Sequence, residues 1–308
     1  MPSREKKSGY RYAIRITRRS GSSFYLAFLS LPRPMYRAMC VIYAFMRLTD
    51  DIADAPIETS SVDLTPAQSL QHRLESLQHW KQQFRDAIAG SNSTHPLFPA
   101  LTEVMSQFQI DPQWLEDVIK GVGMDLQPAP FDVYADLQQY CYHVAGTVGL
   151  CCQAVWGADL SRTRQLAISC GQAFQMTNIL RDLREDARNV RCYLPAEDLA
   201  KFQCSAQDFL SQQPPAAIRE LMQFQIDRAL RDYQQAAQLE NHLQGSGLKM
   251  FRKMFTAYYL LLCKIAKSPE ESLNHRAKLS KIQKARIILT AGNRPLCDLL
   301  KRSPIVFQ

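Results

Sequence analysis

An all-α fold follows from three features of the 308-residue sequence. Apolar residues recur at spacings of three and four through most of the chain, the period of a helix with one buried face. Strand-type alternation is scarce. Glycine is sparse, 12 of 308, about 4% where ~7% is usual, so an α/β nucleotide fold would lack its glycine turns. Length alone allows two domains, but the reading adopted is a single helical domain around a central apolar cavity. Residues 1–19 form a basic N-terminal arm, 20–292 the domain and 293–308 a C-terminal tail.

The elements come in order. After the arm, Pro34 fits a helix start, and apolar positions recur up to Pro56 in a helix that ends in acid. Asp63 to Pro66 reads as the cap and first turn of a polar amphipathic helix reaching about Ile88, followed by a loop, SNSTHP. Shorter helices are expected around 97–108 and 112–123. Phe131 to Trp156 is nearly continuously apolar with small residues, as in a helix buried on most sides. Ser161 can cap a long helix to about Arg188, and a loop with a short helix fills 189–213. Pro214 opens a helix to about Leu243, Gly245–Gly247 is a break, and Leu248–Lys267 is a further apolar helix before the basic tail.

Charge is unevenly distributed. Of the net +8, residues 1–19 contribute +6 and residues 276–308 contribute +7, which leaves the middle at −5. Basic ends on an acidic body point to solvated termini or to a polyanionic surface. No nucleic-acid motif accompanies them, so the expected partner is a membrane surface contacted peripherally through the basic termini. With 46% hydrophobic and 21% charged residues, the chain is neither disordered nor collagenous. Nine cysteines without metal or pairing spacing read as reduced, partly buried residues of a cytoplasmic protein. The N-terminus lacks an export-type apolar region, and the best apolar stretch, Val144 to Ala158, is too short to cross a bilayer.

Two acidic segments carry the chemistry. In RLTDDIAD, Asp50 and Asp54 lie at i,i+4 on one helix face beside Asp51. Like charges at that spacing destabilise a helix by a few tenths of a kcal/mol, so a compensating cation is expected. In QMTNILRDLREDARN, Asn178, Asp182 and Asp186 fall at i, i+4 and i+8. Either stripe alone could be a solvated face, but both lie inside otherwise apolar helices. Facing each other they would form a cage of oxygen ligands without His or Cys, which suits Mg²⁺, with Mn²⁺ as an alternative. Arg47 and Arg181 sit beside the two stripes and could reach a diphosphate. Between the stripes, Phe24, Tyr43, Phe45, Tyr140, Val144, Val148, Gly149, Phe174 and Gln175 offer either plain core or an apolar lining.

At these residues the sequence resembles the squalene/phytoene synthase family, which joins two prenyl diphosphates head to head. The matching segments are SSFYLAFLSLP (22–32), YAFMRLTDDIAD (43–54), YCYHVAGTVG (140–149) and QMTNILRDLREDARNVRCYLP (175–195), with a weaker match from Tyr259 to Arg276. The resemblance implies an all-α isoprenoid-synthase fold in which Asp50, Asp54, Asn178, Asp182 and Asp186 organise Mg²⁺. It implies that Ser23, Arg47, Arg181, Tyr259 and Arg276 lie near the diphosphates, with Tyr140 near the reacting carbons. Gly21 replaces a common serine, and Asn189-Val190 precede Arg191 where a basic or glycine-rich turn is commoner.

The implied reaction ionises one allylic diphosphate in a dry apolar pocket and joins it to the second through a cyclopropylcarbinyl diphosphate. Tyr140 or the released diphosphate takes the proton. The reaction then ends in proton loss, hydride capture or water capture. No glycine-rich fingerprint supports NADPH. Farnesyl diphosphate, for squalene or hopanoid synthesis, is the first expectation, and geranylgeranyl diphosphate, for phytoene and carotenoid synthesis, the alternative. Downstream isoprenoid enzymes are conceivable partners. Competing readings are a terpene cyclase or chain-elongating prenyl transferase, and a basic helical scaffold on lipid.

Overall fold

The computed structural model describes residues 4–20, 23–54, 65–91 and 94–301, apart from the side chains of Arg4, Ser23, Phe24 and Leu26. Among them occur fifteen α-helices and no strand. The chain divides into two compact units: residues 1–128 with 151–157, and 129–150 with 158–308.

The first unit holds α1 (Arg4–Arg19), α2 (Ser23–Phe28), α3 (Arg33–Asp54), α4 (Pro66–Ile88), α5 (Phe98–Phe108) and α6 (Pro112–Leu126). The basic stretch expected as an arm is helix α1, packed against α3 and α5. Tyr10, Ala13 and Thr17 recur at helical spacing and are buried. Thr17 Oγ1 donates to Cys40 O of α3 at 3.1 Å. Arg11, Arg15, Arg18 and Arg19 lie on the exposed face of this packed helix. For α4 the cap is Thr65, whose hydroxyl and Gln68 exchange bonds with each other's backbone; Asp63 lies outside the described residues. The core of the unit is aromatic: Phe45, Trp80, Phe84 and Phe98 have ring centroids 4.8–6.3 Å apart. Each such side chain, fully buried, contributes roughly 1.5–3 kcal/mol.

In the second unit, α7 (Tyr134–Cys141) runs through a π turn (Tyr142–Gly146) into α8 (Thr147–Trp156), whose last residues belong to the first unit. The single helix expected over this region is therefore interrupted by wider i→i+5 winding, which an apolar pattern does not reveal. Its partner is α9 (Leu160–Arg188), and the two backbones meet where side chains vanish. A Cβ on Gly171 would lie 2.4 Å from Ala145 O, and one on Gly149 would lie 2.7 Å from Ala167 O. The cap of α9 is Asp159: its Oδ1 accepts Ser161 N at 3.0 Å and the Ser161 hydroxyl at 2.6 Å, so the serine supports the cap and is not itself the cap.

Then come α10 (Ala196–Lys201), α11 (Ala216–Ala237), α12 (Gly245–Lys267), α13 (Pro269–Asn274), α14 (Lys281–Thr290) and α15 (Leu296–Lys301). Gly245–Gly247, read as a break, is the first turn of α12. The break falls at Leu243–Gln244, whose backbone is extended. The C-terminal basic stretch likewise holds two short helices. Helix α11 packs along α9: Tyr233 and Thr177 share a hydroxyl–hydroxyl bond of 2.9 Å, and Ser169 Oγ donates to Gln235 at 2.9 Å. None of the described cysteines is paired in a disulfide, and six of the nine are buried. No described helix is long and apolar enough to cross a membrane.

Candidate active site

Helix α3 sorts its residues by face. Phe45, Thr49 and Ala53 point inward, and Arg47, Asp50, Asp51 and Asp54 stay at the surface. Two bonds fix the acidic end: Trp80 Nε1 donates to Thr49 Oγ1 at 2.9 Å, and Arg73 Nη1 donates to the Ala53 carbonyl at 2.9 Å. The Asp50 carboxyl is pushed up to about 7, by desolvation, then by the charge of Asp54 and, more weakly, of Asp125 and Asp51, against the lowering influence of Arg47. Because Asp50 keeps part of its side chain open to solvent, the crowd of negative charge is the durable part of that effect. Asp125, on α6, is a member of this cluster that sequence spacing gave no sign of. Arg47 Nη2 is committed to Asp51 Oδ1 at 2.6 Å.

The second stripe lies on the less buried face of α9. Asn178 Nδ2 donates to Gln175 Oε1 at 3.3 Å. Arg181 grips Asp182 with two bonds, Nε to Oδ1 at 2.8 Å and Nη2 to Oδ2 at 2.5 Å, and Arg276 Nε donates to the same Oδ1 at 2.7 Å. Arg276 also lies 3.5 Å from Glu185. Burial raises the Asp182 carboxyl, but the two guanidinium groups more than cancel this and hold it below the usual carboxylate range. Behind the stripe, buried Arg184 fixes α9. It donates to Phe209 O at 2.8 Å, to Asn274 Oδ1 at 2.7 Å and to Ser211 O. This positioning role was not expected from the sequence, since an arginine amid acids reads as a surface residue.

Helix α9 ends in a Schellman motif. Arg191 N donates to Asp186 O at 2.8 Å and Val190 N to Ala187 O at 3.1 Å, with Val190 at φ 56° and 90% exposed. A β-branched residue is strained where glycine is usual. Val190→Gly is therefore expected to raise stability by about 1 kcal/mol, read from the denaturant midpoint; an unchanged or lower midpoint would remove strain from this turn.

The other expected residues divide. Tyr140 is buried in a stack with Tyr193 (centroids 5.1 Å) and Phe131 (5.5 Å). Val144 lies in the π turn, and Gly149 makes the close crossing with α9. Tyr259, expected near a diphosphate, is fully buried against Tyr233 and Phe255. Ser23 and Phe24 open α2, but their side chains lie outside the described residues, as does Gly21. No group of three His, Cys, Asp or Glu side chains among the described residues is arranged to hold a metal ion, and Asp182 is held by arginines. The donor chemistry nonetheless fits a hard cation. The candidate donors are all oxygen, and the first cluster carries surplus negative charge.

The match to known proteins identifies the family. A family profile described as squalene/phytoene synthase covers residues 17–283. The chain belongs to the squalene/phytoene synthase family. It is thus a prenyl transferase of the head-to-head class. A phytoene synthase of Arthrospira platensis is 37% identical over 244 residues, 74% of each chain. A 15-cis-phytoene synthase of Synechococcus elongatus is 36% identical over 241 residues, again 74% of each. Among solved structures, a dehydrosqualene synthase with bound ligand superposes at a TM-score of 0.80 with 24% identity, covering 98% of this chain and 99% of that one. A squalene synthase from Alicyclobacillus acidocaldarius gives 0.75 with 22% identity, covering 85% and 95%. These structural likenesses establish the helical isoprenoid-synthase fold.

Proposed function

We propose that this family member is a phytoene synthase, which condenses two molecules of geranylgeranyl diphosphate and ends in proton loss. The observation that carries this reading is the 37% and 36% identity to phytoene synthases over three quarters of the chain. It favours the alternative, geranylgeranyl diphosphate, over farnesyl diphosphate, the first expectation from sequence.

In this reading Asp50, Asp54, Asn178, Asp182 and Asp186 hold Mg²⁺, which when bound supplies positive charge to the departing diphosphate. Arg47, Arg181 and Arg276 exchange their present carboxylate partners for phosphate oxygens, a bidentate match that guanidinium groups make well. An apolar lining that includes Val144 would exclude water from the allylic cation. The second alkene attacks it, a proton leaves to Tyr140 or to the released diphosphate, and a cyclopropylcarbinyl diphosphate results. A second ionisation, rearrangement and proton loss complete the product. Peripheral contact with a membrane belongs to the same reading, since such a product partitions into lipid.

The test is incubation with Mg²⁺ and either prenyl diphosphate, without NADPH, followed by mass analysis of dephosphorylated products. C40 phytoene from geranylgeranyl diphosphate is expected. A C30 cyclopropyl alcohol from farnesyl diphosphate, with no C40 product, would reassign the chain to the presqualene type.

A further inference from the structure

Helix α14 presents its apolar residues to solvent. Ile287 is buried on the side packed against α12, yet Ile282 and Leu289 are 81% and 76% exposed, and Ala285 is exposed as well. At 100° per residue, Ile282, Ala285 and Leu289 form one stripe nearly opposite Ile287. Exposed Lys281 and Lys284 flank the stripe on one side and Arg286 on the other. No acid occurs between Arg276 and Cys297, a stretch that also contains Lys278 and Arg294. The helix is anchored, because Ser280 and Gln283 form a reciprocal capping box at its start. Helix α14 also walls a recess of about 560 Å³ whose lining includes Leu260, Cys263, Leu296 and Leu299 together with Arg286 and Arg294.

We propose that α14 is a membrane-docking helix that lies in the interface of an anionic bilayer, with Ile282, Ala285 and Leu289 among the acyl chains and Lys281, Lys284 and Arg286 at the headgroups. An apolar outermost stripe bordered by cations is the arrangement that partitions into such an interface, and the basic stems can reach the headgroups while the stripe is immersed. A second copy of this chain fits less well. Three side chains on one ten-residue helix fall far short of the roughly 800 Å² per partner of a stable interface, and the flanking cations would repel their copies. The assignment stands on this face alone, so a chain without turnover would dock in the same way.

Flotation of the full chain with phosphatidylcholine vesicles, with and without phosphatidylglycerol, tests it. Binding is expected to require phosphatidylglycerol, to weaken steeply with salt, and to fall about tenfold or more in Ile282→Ser/Leu289→Ser and in Lys281→Glu/Lys284→Glu. Circular dichroism should be unchanged, as the replaced side chains are exposed. In Leu289→Trp, the fluorescence should shift to the blue and be quenched by lipids brominated in the acyl chain. Binding that both paired variants retain, or a tryptophan that brominated lipid does not quench, would overturn the proposal. So would a solution mass of two chains that Ile282→Ser/Leu289→Ser reduces to one, which would assign the face to self-association.

Discussion

Asp54→Asn and Asp186→Asn are each expected to lower prenyl diphosphate turnover by about 10²–10³, with a melting temperature within a few degrees of the parent. The two readouts separate because neither side chain belongs to the buried core: Asp54 is exposed and Asp186 half-buried. Asp54 is exposed at the end of α3, and its charge raises the pKa of Asp50, so removing it relieves repulsion worth a few tenths of a kcal/mol. Asp186 serves the end of α9 through its backbone carbonyl, which accepts from Arg191, and asparagine keeps that carbonyl. A neutral amide still offers an oxygen but not the charge that a cation and a departing diphosphate demand. Stability falling in step with turnover would mean that the acids are structural, and unchanged turnover would remove them from the site.

Gly171→Ala is expected to cost about 3 kcal/mol, the upper part of the range for an overpacked core. The added Cβ would meet Ala145 O at 2.4 Å, Ala145 C at 2.5 Å and Gly146 N at 2.6 Å, all backbone atoms that cannot rotate away. Helix α9 would have to withdraw from the π turn, and Asn178, Asp182 and Asp186 would move with it. Gly123→Ala is the matched control: its Cβ would find only a Leu77 methyl at 3.5 Å, so the better helix propensity of alanine should leave stability equal or higher by up to about 1 kcal/mol. Denaturant midpoints of the two variants test the contrast. Equal midpoints would mean that the α9 crossing is looser than its backbone distances imply.

Elements set by periodicity were legible in the sequence. The inward face of α3, the stripe of α9 and the boundaries of α5 emerge from residues three and four apart, since burial of one helical face is what selects them. Misreadings arose where a local signal competed with a distant one. Residues 4–19 look like a tail because arginine and lysine dominate the composition, but Tyr10, Ala13 and Thr17 supply the buried face. Ser161 looks like a cap, and Asp159, two residues earlier, takes the role. Glycines at 245 and 247 look like a stop, although a helix tolerates them in its first turn. Asp125 and Arg184 were invisible for another reason. Asp125 meets Asp50 only through the packing of α6 on α3, and Arg184 finds its carbonyl partners only once residues 209–211 fold over it.

The π turn at Tyr142–Gly146 sets a phase. It accommodates one residue more than a regular helix would over the same rise, and each helical residue is rotated by about 100° from its predecessor. A chain one residue shorter between Tyr140 and Gly149 would keep an unbroken helix and its contact at Gly149. Tyr140 would then be swung by that angle, out of the stack with Phe131 and Tyr193. The extra residue acts as a fixed angular offset between the aromatic stack and the glycine crossing, and a single deletion there would change direction without changing composition.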